Sequence, residues 1–203
     1  MKKNVLKYLA EFIIVAFGVF LGMYLNDRST RNQLRENEQK ALENIITELN
    51  HNHDVLMASI RYHTLIKESF DSLKQTIPEE AFHRPYFQNK GFKYVFIKGW
   101  WGSGLAAFDD TAFEVAKMSG TLQHMDIDLV QLLSQTYKAI AVQEEFQQSI
   151  QQRMMSISSQ SSTYDAIGNV AILTGDNLAM EKSLATYLET NIERIGALSP
   201  TAD

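Results

Sequence analysis

The sequence predicts an all-α protein in which one N-terminal transmembrane helix continues into a helical bundle of about three long helices plus one short helix. Three observations predict it. A nearly uninterrupted apolar run fills residues 8–26, no proline interrupts residues 1–77, and apolar residues recur at helical spacing through most of the remaining chain. With only three prolines and ten glycines among 203 residues, long helices meet few breaks.

The apolar run comes after a short basic tail, residues 1–7 (MKKNVLK). From Phe12 to Tyr24 every residue is apolar or glycine, and Tyr8, Leu9, Ala10 and Leu25 extend the stretch. About 20 such residues cross a ~30 Å hydrocarbon core. The run ends GMYLNDRS, bulky where a signal peptidase requires small residues, so the segment is expected to stay as an anchor. Lys2, Lys3 and Lys7 precede the span and Arg28, Arg31 and Arg35 come after it, which nearly balances the positive-inside count. A free tail with three lysines crosses a membrane poorly, whereas a large domain crosses largely regardless of charge. The expectation is a single-pass protein of a bacterial inner membrane, N-terminus cytoplasmic and domain periplasmic.

Within the span, Glu11, Gly18, Gly22 and Asn26 return to nearly one angle at 3.6 residues per turn, and Val15 fills the gap between them. Gly18 and Gly22 form a G-x-x-x-G pair, which lets a second helix backbone approach closely. The stripe Glu11, Val15, Gly18, Gly22, Asn26 is therefore expected to associate with another copy or with a different membrane subunit. Two readings stay open beside it. Lys7, four residues before Glu11, and the helix dipole account for the acid without a function, with Asn26 marking the interface. Alternatively Glu11 serves an ion path in an oligomer.

Residues 27–77 continue the helix, with Leu42, Ile45, Ile46, Leu49, Val55, Leu56, Ile60, Leu65 and Phe70 on its apolar stripe. Asn52 and His53 interrupt a strict seam, which favours packing within one bundle over a free coiled coil. Residues 78–108 read as a long connection rich in aromatics, glycine and proline, with one short extended piece at KYVFI. Trp100 and Trp101 read as half-buried packing residues of a lid over the bundle. An alternative makes Trp100, Trp101 and Phe96 part of a segment, 92–104, that closes over a ligand or peptide.

Residues 109–203 supply the rest of the bundle. Thr111 with Glu114 predicts a capping box for a short helix, and Gly120 its stop. Asp126 predicts the cap of a long helix, 127–155, facing inward through Leu129, Leu132, Leu133, Tyr137 and Ile140. The serine-rich stretch 156–163 reads as a loop, and Asp176 as the cap of a last helix with Leu178, Leu184, Leu188, Ile192 and Ile195 inward.

Chemistry is sparse. A net charge of −5 with no Lys/Arg-rich run after residue 40 argues against a nucleic-acid partner. With no cysteine, disulfides, thiolate zinc sites and thiol nucleophiles are excluded. HNHD resembles a metal cluster, but His51 and His53 face apart on a helix, so no metal is expected. GWWGSGL has Trp101 where a nucleophile elbow needs glycine, and it lacks the Lys-Ser/Thr of a phosphate loop. Asp109, Asp110, Asp126 and Asp128 stand at helix starts, where caps explain them. No cofactor motif appears, and the chain is expected not to be an enzyme.

The span resembles that of a large group of uncharacterised bacterial single-span membrane proteins, grouped under a domain of unknown function. Glu11, Gly18, Gly22 and Asn26 match its pattern, as do Glu48, Leu49 and Asn52 in the next helical stretch; the usual tryptophan after the asparagine is replaced by Arg28 and Ser29. A second region, 108–137, is similar through Ser119, Gly120, Leu122 and Tyr137. The resemblance implies a membrane anchor with a helical domain and carries no activity. The expected function is that of a membrane-anchored accessory or scaffolding subunit, in contact with membrane lipid. The alternative is an extracytoplasmic ligand- or peptide-binding helical module.

Overall fold

The computed structural model describes the backbone of residues 2–198 and the side chains of 11–198. Helix α1 runs unbroken over Lys2–Lys74, 73 residues or about 110 Å of rod. It passes through three environments. The apolar span is long enough to cross a membrane, and none of it is buried in the chain. Polar residues from Asp27 to Lys40 stand almost bare, as a stalk would. From Leu42 onward a buried stripe joins the domain.

Helices α2 (Thr111–Met118), α3 (Ile127–Met155), α4 (Thr163–Ile172) and α5 (Leu178–Leu198) complete the all-α bundle. The core has two parts. The part nearer the apolar N-terminal stretch joins Leu42, Ile45, Leu49 and Leu56 of α1 to Phe113 of α2, Leu133 of α3 and Leu188 of α5. The distal part joins Ile66 and Phe70 to Phe92 and Ile97 of the connection and to Ile167 and Val170 of α4. Leu65, expected on the inner stripe, is exposed instead, with its tip beneath Gly99.

The connection contains three single 3-10 turns, at Glu79–Ala81, Tyr86–Gln88 and Tyr94–Phe96. The extended piece expected at KYVFI is thus a turn, closed by Phe96 N–H to Lys93 O and Ile97 N–H to Tyr94 O, each at 3.0 Å. The turn lets Phe92 and Ile97 both reach the core while Val95 stays outside. Residues 82–86 pair with 161–164 through Tyr86 N–H to Ser161 O (2.8 Å) and Tyr164 N–H to Phe82 O (2.9 Å).

Two caps differ from expectation. Thr111 is the first residue of α2 and makes no capping box; Asp109 Oδ1 accepts its N–H (3.0 Å) and hydroxyl (2.6 Å), while Glu114 pairs with Lys117. Asp176 caps nothing. A capping box between Ser162 and Asp165 begins α4 earlier, and a π-turn over Leu173–Asn177 carries that helix straight into α5. The bulge absorbs Gly175 and turns Asn177 inward, which a helix start at Asp176 would not do. Asp126 does cap α3, accepting from Asp128 and Leu129, and Gly120 ends α2 at φ +77°.

Candidate functional site

The predicted association residues all lie along the exposed length of α1. A Cβ built on Gly18 or Gly22 would meet nothing within 4 Å, and Glu11, Val15 and Asn26 are likewise exposed. Among the described residues, none covers the two glycines. The pairing of Glu11 with Lys7 lies outside the residues whose side chains are described.

The aromatic candidates do not converge. Trp100 is half-buried and stacks on Tyr94 at 5.2 Å within the distal core. Phe96 is exposed. Trp101, expected half-buried, is 73 % exposed, with one face against Tyr62 at 4.7 Å. The reason is local: Tyr62 already fills the space inside, its hydroxyl donating to Gly102 O at 2.7 Å, so the indole stays outside.

Sequence reasoning placed no weight on His63, and the structure puts it at the centre of a sealed polar network. His63 and Glu181 are both 0 % exposed and meet at 2.8 Å, Nδ1 to Oε2. His63 Nε2 lies 2.7 Å from Ser103 O and so must carry a proton, since a carbonyl only accepts. One further proton lies between Nδ1 and Oε2. Ser59 Oγ is 2.9 Å from Glu181 Oε1 and 2.8 Å from Gly104 O, and Asn177 donates to Oε1 at 2.9 Å. The residue types match a Ser–His–Glu triad, but the wiring does not. Serine and acid crowd the same ring nitrogen, Nδ1, while Nε2 is spent on a backbone carbonyl; a relay needs them on opposite nitrogens. The network therefore holds the 102–104 segment and α5 against α1.

A second network surrounds Glu48, one turn before Asn52. Glu48 accepts the Ala112 N–H at 2.6 Å, the Phe113 N–H at 3.4 Å and the Tyr137 hydroxyl at 2.5 Å. Phe113 and Tyr137 stack at 4.3 Å. The Asn52 amide donates to Asp109 O (2.7 Å) and accepts from Asp109 N–H (2.8 Å). Glu48 thus serves the α2 N-terminus from another helix, where positive dipole and free N–H groups favour a carboxylate. Beside it, α1 and α2 border an open groove of about 820 Å³ lined by Lys40, Asn44, His51, Thr111, Val115 and Thr121.

The chain matches no family model, no curated protein and no solved structure. Function therefore rests on the geometry. Among the described residues, no cluster of three metal-ligating side chains occurs. His51 lines the α1–α2 groove, whereas His53 faces Lys182 and Glu189 of α5. Glu48, Asn52 and Tyr137 meet around the start of α2; in the sequence Asn52 marks a break in the α1 seam, Tyr137 an inward position of α3, and Glu48 stands out only through a resemblance. Apolar periodicity gave no hint of His63 or Glu181, because a buried polar pair replaces the apolar residues that periodicity detects.

Proposed function

We propose that the protein is a membrane-anchored, non-enzymatic accessory subunit that assembles with another membrane protein through the Gly18–Gly22 face of its span. The observation that carries this reading is the open face itself. Two glycines share it with the polar Glu11 and Asn26, and beyond the glycines' chain neighbours and the adjoining backbone of the same helix no described residue lies within 4 Å of where the glycines' side chains would be. Polar groups at a membrane helix are costly against lipid and cheaper against a partner helix.

Two further features support it. Span, stalk and the longest core helix are one continuous rod, so a partner gripping the span fixes the position of the whole domain. The buried titratable residues are occupied with holding the fold, as the wiring of His63 illustrates. The same reading places the chain in a bacterial inner membrane with the domain in the periplasm, supported by the lysine-bearing tail and the free passage of large domains.

The test is recovery of partners from native membranes in mild detergent, with the wild type and with the Gly18→Leu, Gly22→Leu double variant. Loss of a co-purifying subunit or of oligomer mass in the variant is expected. Unchanged recovery contradicts the reading.

A further inference from the structure

Residues 81–108 differ in charge from the rest of the chain. They carry Arg84, Lys90, Lys93 and Lys98 and no Asp or Glu, within a protein of net charge −5. Arg84, Lys90 and Lys98 are exposed and make no ion pair among the described residues. Lys93 lies over the rings of Tyr86 and Phe87, at 4.6 and 5.5 Å from their centres. The connection packs on the far end of α1, where Arg61, Lys67 and Lys74 outnumber Glu68 and Asp71, and Asp71 already pairs with Lys67. Even with Glu79 and Glu80 included, residues 61–108 keep more Lys and Arg than Asp and Glu.

The same stretch exposes large apolar side chains. Phe87, Val95, Phe96 and Trp101 are between 49 % and 73 % exposed, and outside the span no other Phe or Trp among the described residues is exposed. A row of rings links them. Phe87 meets Tyr86 at 5.3 Å, Tyr86 meets Tyr94 at 5.2 Å, and Tyr94 stacks on Trp100 at 5.2 Å. Val95 and Phe96 directly follow Tyr94, and Trp101 directly follows Trp100. The turn Tyr94–Phe96 lets Phe92 and Ile97 enter the core while these groups stay outside. Four large apolar side chains left in water along one ring row mark a contact surface.

We propose that this surface binds an anionic lipid bilayer, with Arg84 and the lysines at the headgroup phosphates and Val95, Phe96, Phe87 and Trp101 at the acyl boundary. Lys and Arg beside Trp and Phe is the composition of interfacial membrane contacts, where apolar burial and attraction to anionic lipid add together. An acidic protein would match the cations but would need a fitted pocket for each protruding apolar side chain. A fluid interface accepts them in any arrangement, rings inward and polar tips at the water. Position decides which bilayer is met. Tyr62, whose ring holds Trp101, lies about 54 Å beyond Asn26 along α1. No Gly or Pro stands between them to bend the rod. The surface is therefore carried away from the bilayer that holds the span and is presented to a facing one. That placement rests on the membrane-anchored reading above; the chemistry of the surface does not.

The test places the full-length chain in nanodiscs of neutral phosphatidylcholine and adds separate vesicles, either of phosphatidylcholine or of phosphatidylcholine with phosphatidylglycerol. Flotation with the anionic vesicles alone is expected, and it should fall as salt is raised. Lys90→Ala and Lys98→Ala should each weaken it about fivefold, the worth of one interfacial cation. Val95→Ser with Phe96→Ser, both at exposed positions, should weaken it about tenfold and leave the salt dependence in place. Trp100 and Trp101 are the only tryptophans of the chain. Brominated lipid in the vesicles should therefore quench its indole fluorescence, and brominated lipid in the disc should not. Gly18→Leu with Gly22→Leu should leave vesicle binding unchanged, which separates a failure here from a failure of the assembly reading. Absence of flotation, equal flotation with neutral vesicles, or binding untouched by the lysine variants would overturn the proposal. So would capture on heparin with indifference to Val95→Ser and Phe96→Ser, the mark of attachment to any polyanion. Quenching from the disc alone would overturn the facing bilayer.

Discussion

The Tyr137 hydroxyl of α3 donates to the Glu48 carboxylate of α1 at 2.5 Å across 89 residues of sequence. The same carboxylate accepts the Ala112 and Phe113 N–H groups in the first turn of α2, so one acid ties three helices together. Burial pushes the Tyr137 phenol well above its usual range, and the carboxylate beside it adds to the effect. The phenol is thus a fixed donor throughout ordinary pH.

Replacing Glu48 by Ala should cost about 2–4 kcal/mol, because it strips partners from buried N–H groups and from the phenol together. Tyr137→Phe should cost about 1 kcal/mol. Chemical denaturation followed by tryptophan fluorescence measures both, and the double variant should lose less than the two single losses combined.

His63 and Glu181 make a contrasting case, since neither reaches solvent. Removing one partner leaves an unmatched buried group, so Glu181→Leu should destabilise by about 3–5 kcal/mol. His63→Leu with Glu181→Leu should recover part of that loss. A double variant as unstable as Glu181→Leu alone would show that the remaining network, not the pair, carries the effect.

Gly104 and Gly120 separate two costs that are often merged. Both have positive φ, +65° and +77°, but a Cβ on Gly104 would run into the Tyr62 ring, whereas on Gly120 it would meet only Gln123 at 4.0 Å. Gly120→Ala should cost about 1–2 kcal/mol from backbone strain alone. Gly104→Ala should cost more, and Tyr62→Ala in the same chain should relieve the excess. Thermal melts of these three variants, with Tyr62→Ala alone as the reference, decide it.

Glu144 gives a pH signature. Partial burial first, and the Asp110 charge second, hold its carboxyl above the usual glutamate value. A carboxyl raised in the folded state prefers its proton there, so the ionised form opposes folding. That penalty is absent below the unfolded-state value and complete above the folded one. Glu144→Gln should therefore raise the Tm at neutral pH, with the gain shrinking as pH falls through the carboxylate range. A gain that persists unchanged at low pH would point to a non-electrostatic cause.

The rods and their apolar faces were legible in the sequence because burial repeats at the helical period, as with Leu129, Leu132, Leu133 and Ile140 of α3. The starts of helices were less so. Thr111 and Glu114 fit a local capping rule, but Glu48, distant in sequence, takes the N–H groups. Asp176 fits a start rule as well, but the π-turn keeps the helix going through it. The polar networks were illegible for the same reason: Ser59, His63, Asn177 and Glu181 look like surface residues until tertiary contacts assemble them.

On the proposed reading, the glycine face of α1 meets another protein within the membrane. The native chain has no cysteine, so a single introduced cysteine can carry a benzophenone at a chosen position. Probes at Val15 and Asn26 lie on the stripe and leave both glycines intact, and probes at Ile13 and Phe20 lie on the opposite side of the same helix. After illumination in native membranes, a discrete protein adduct is expected from Val15 and Asn26 and only lipid adducts from Ile13 and Phe20. Equal protein crosslinking from both sides, or none from the stripe, would contradict the claim.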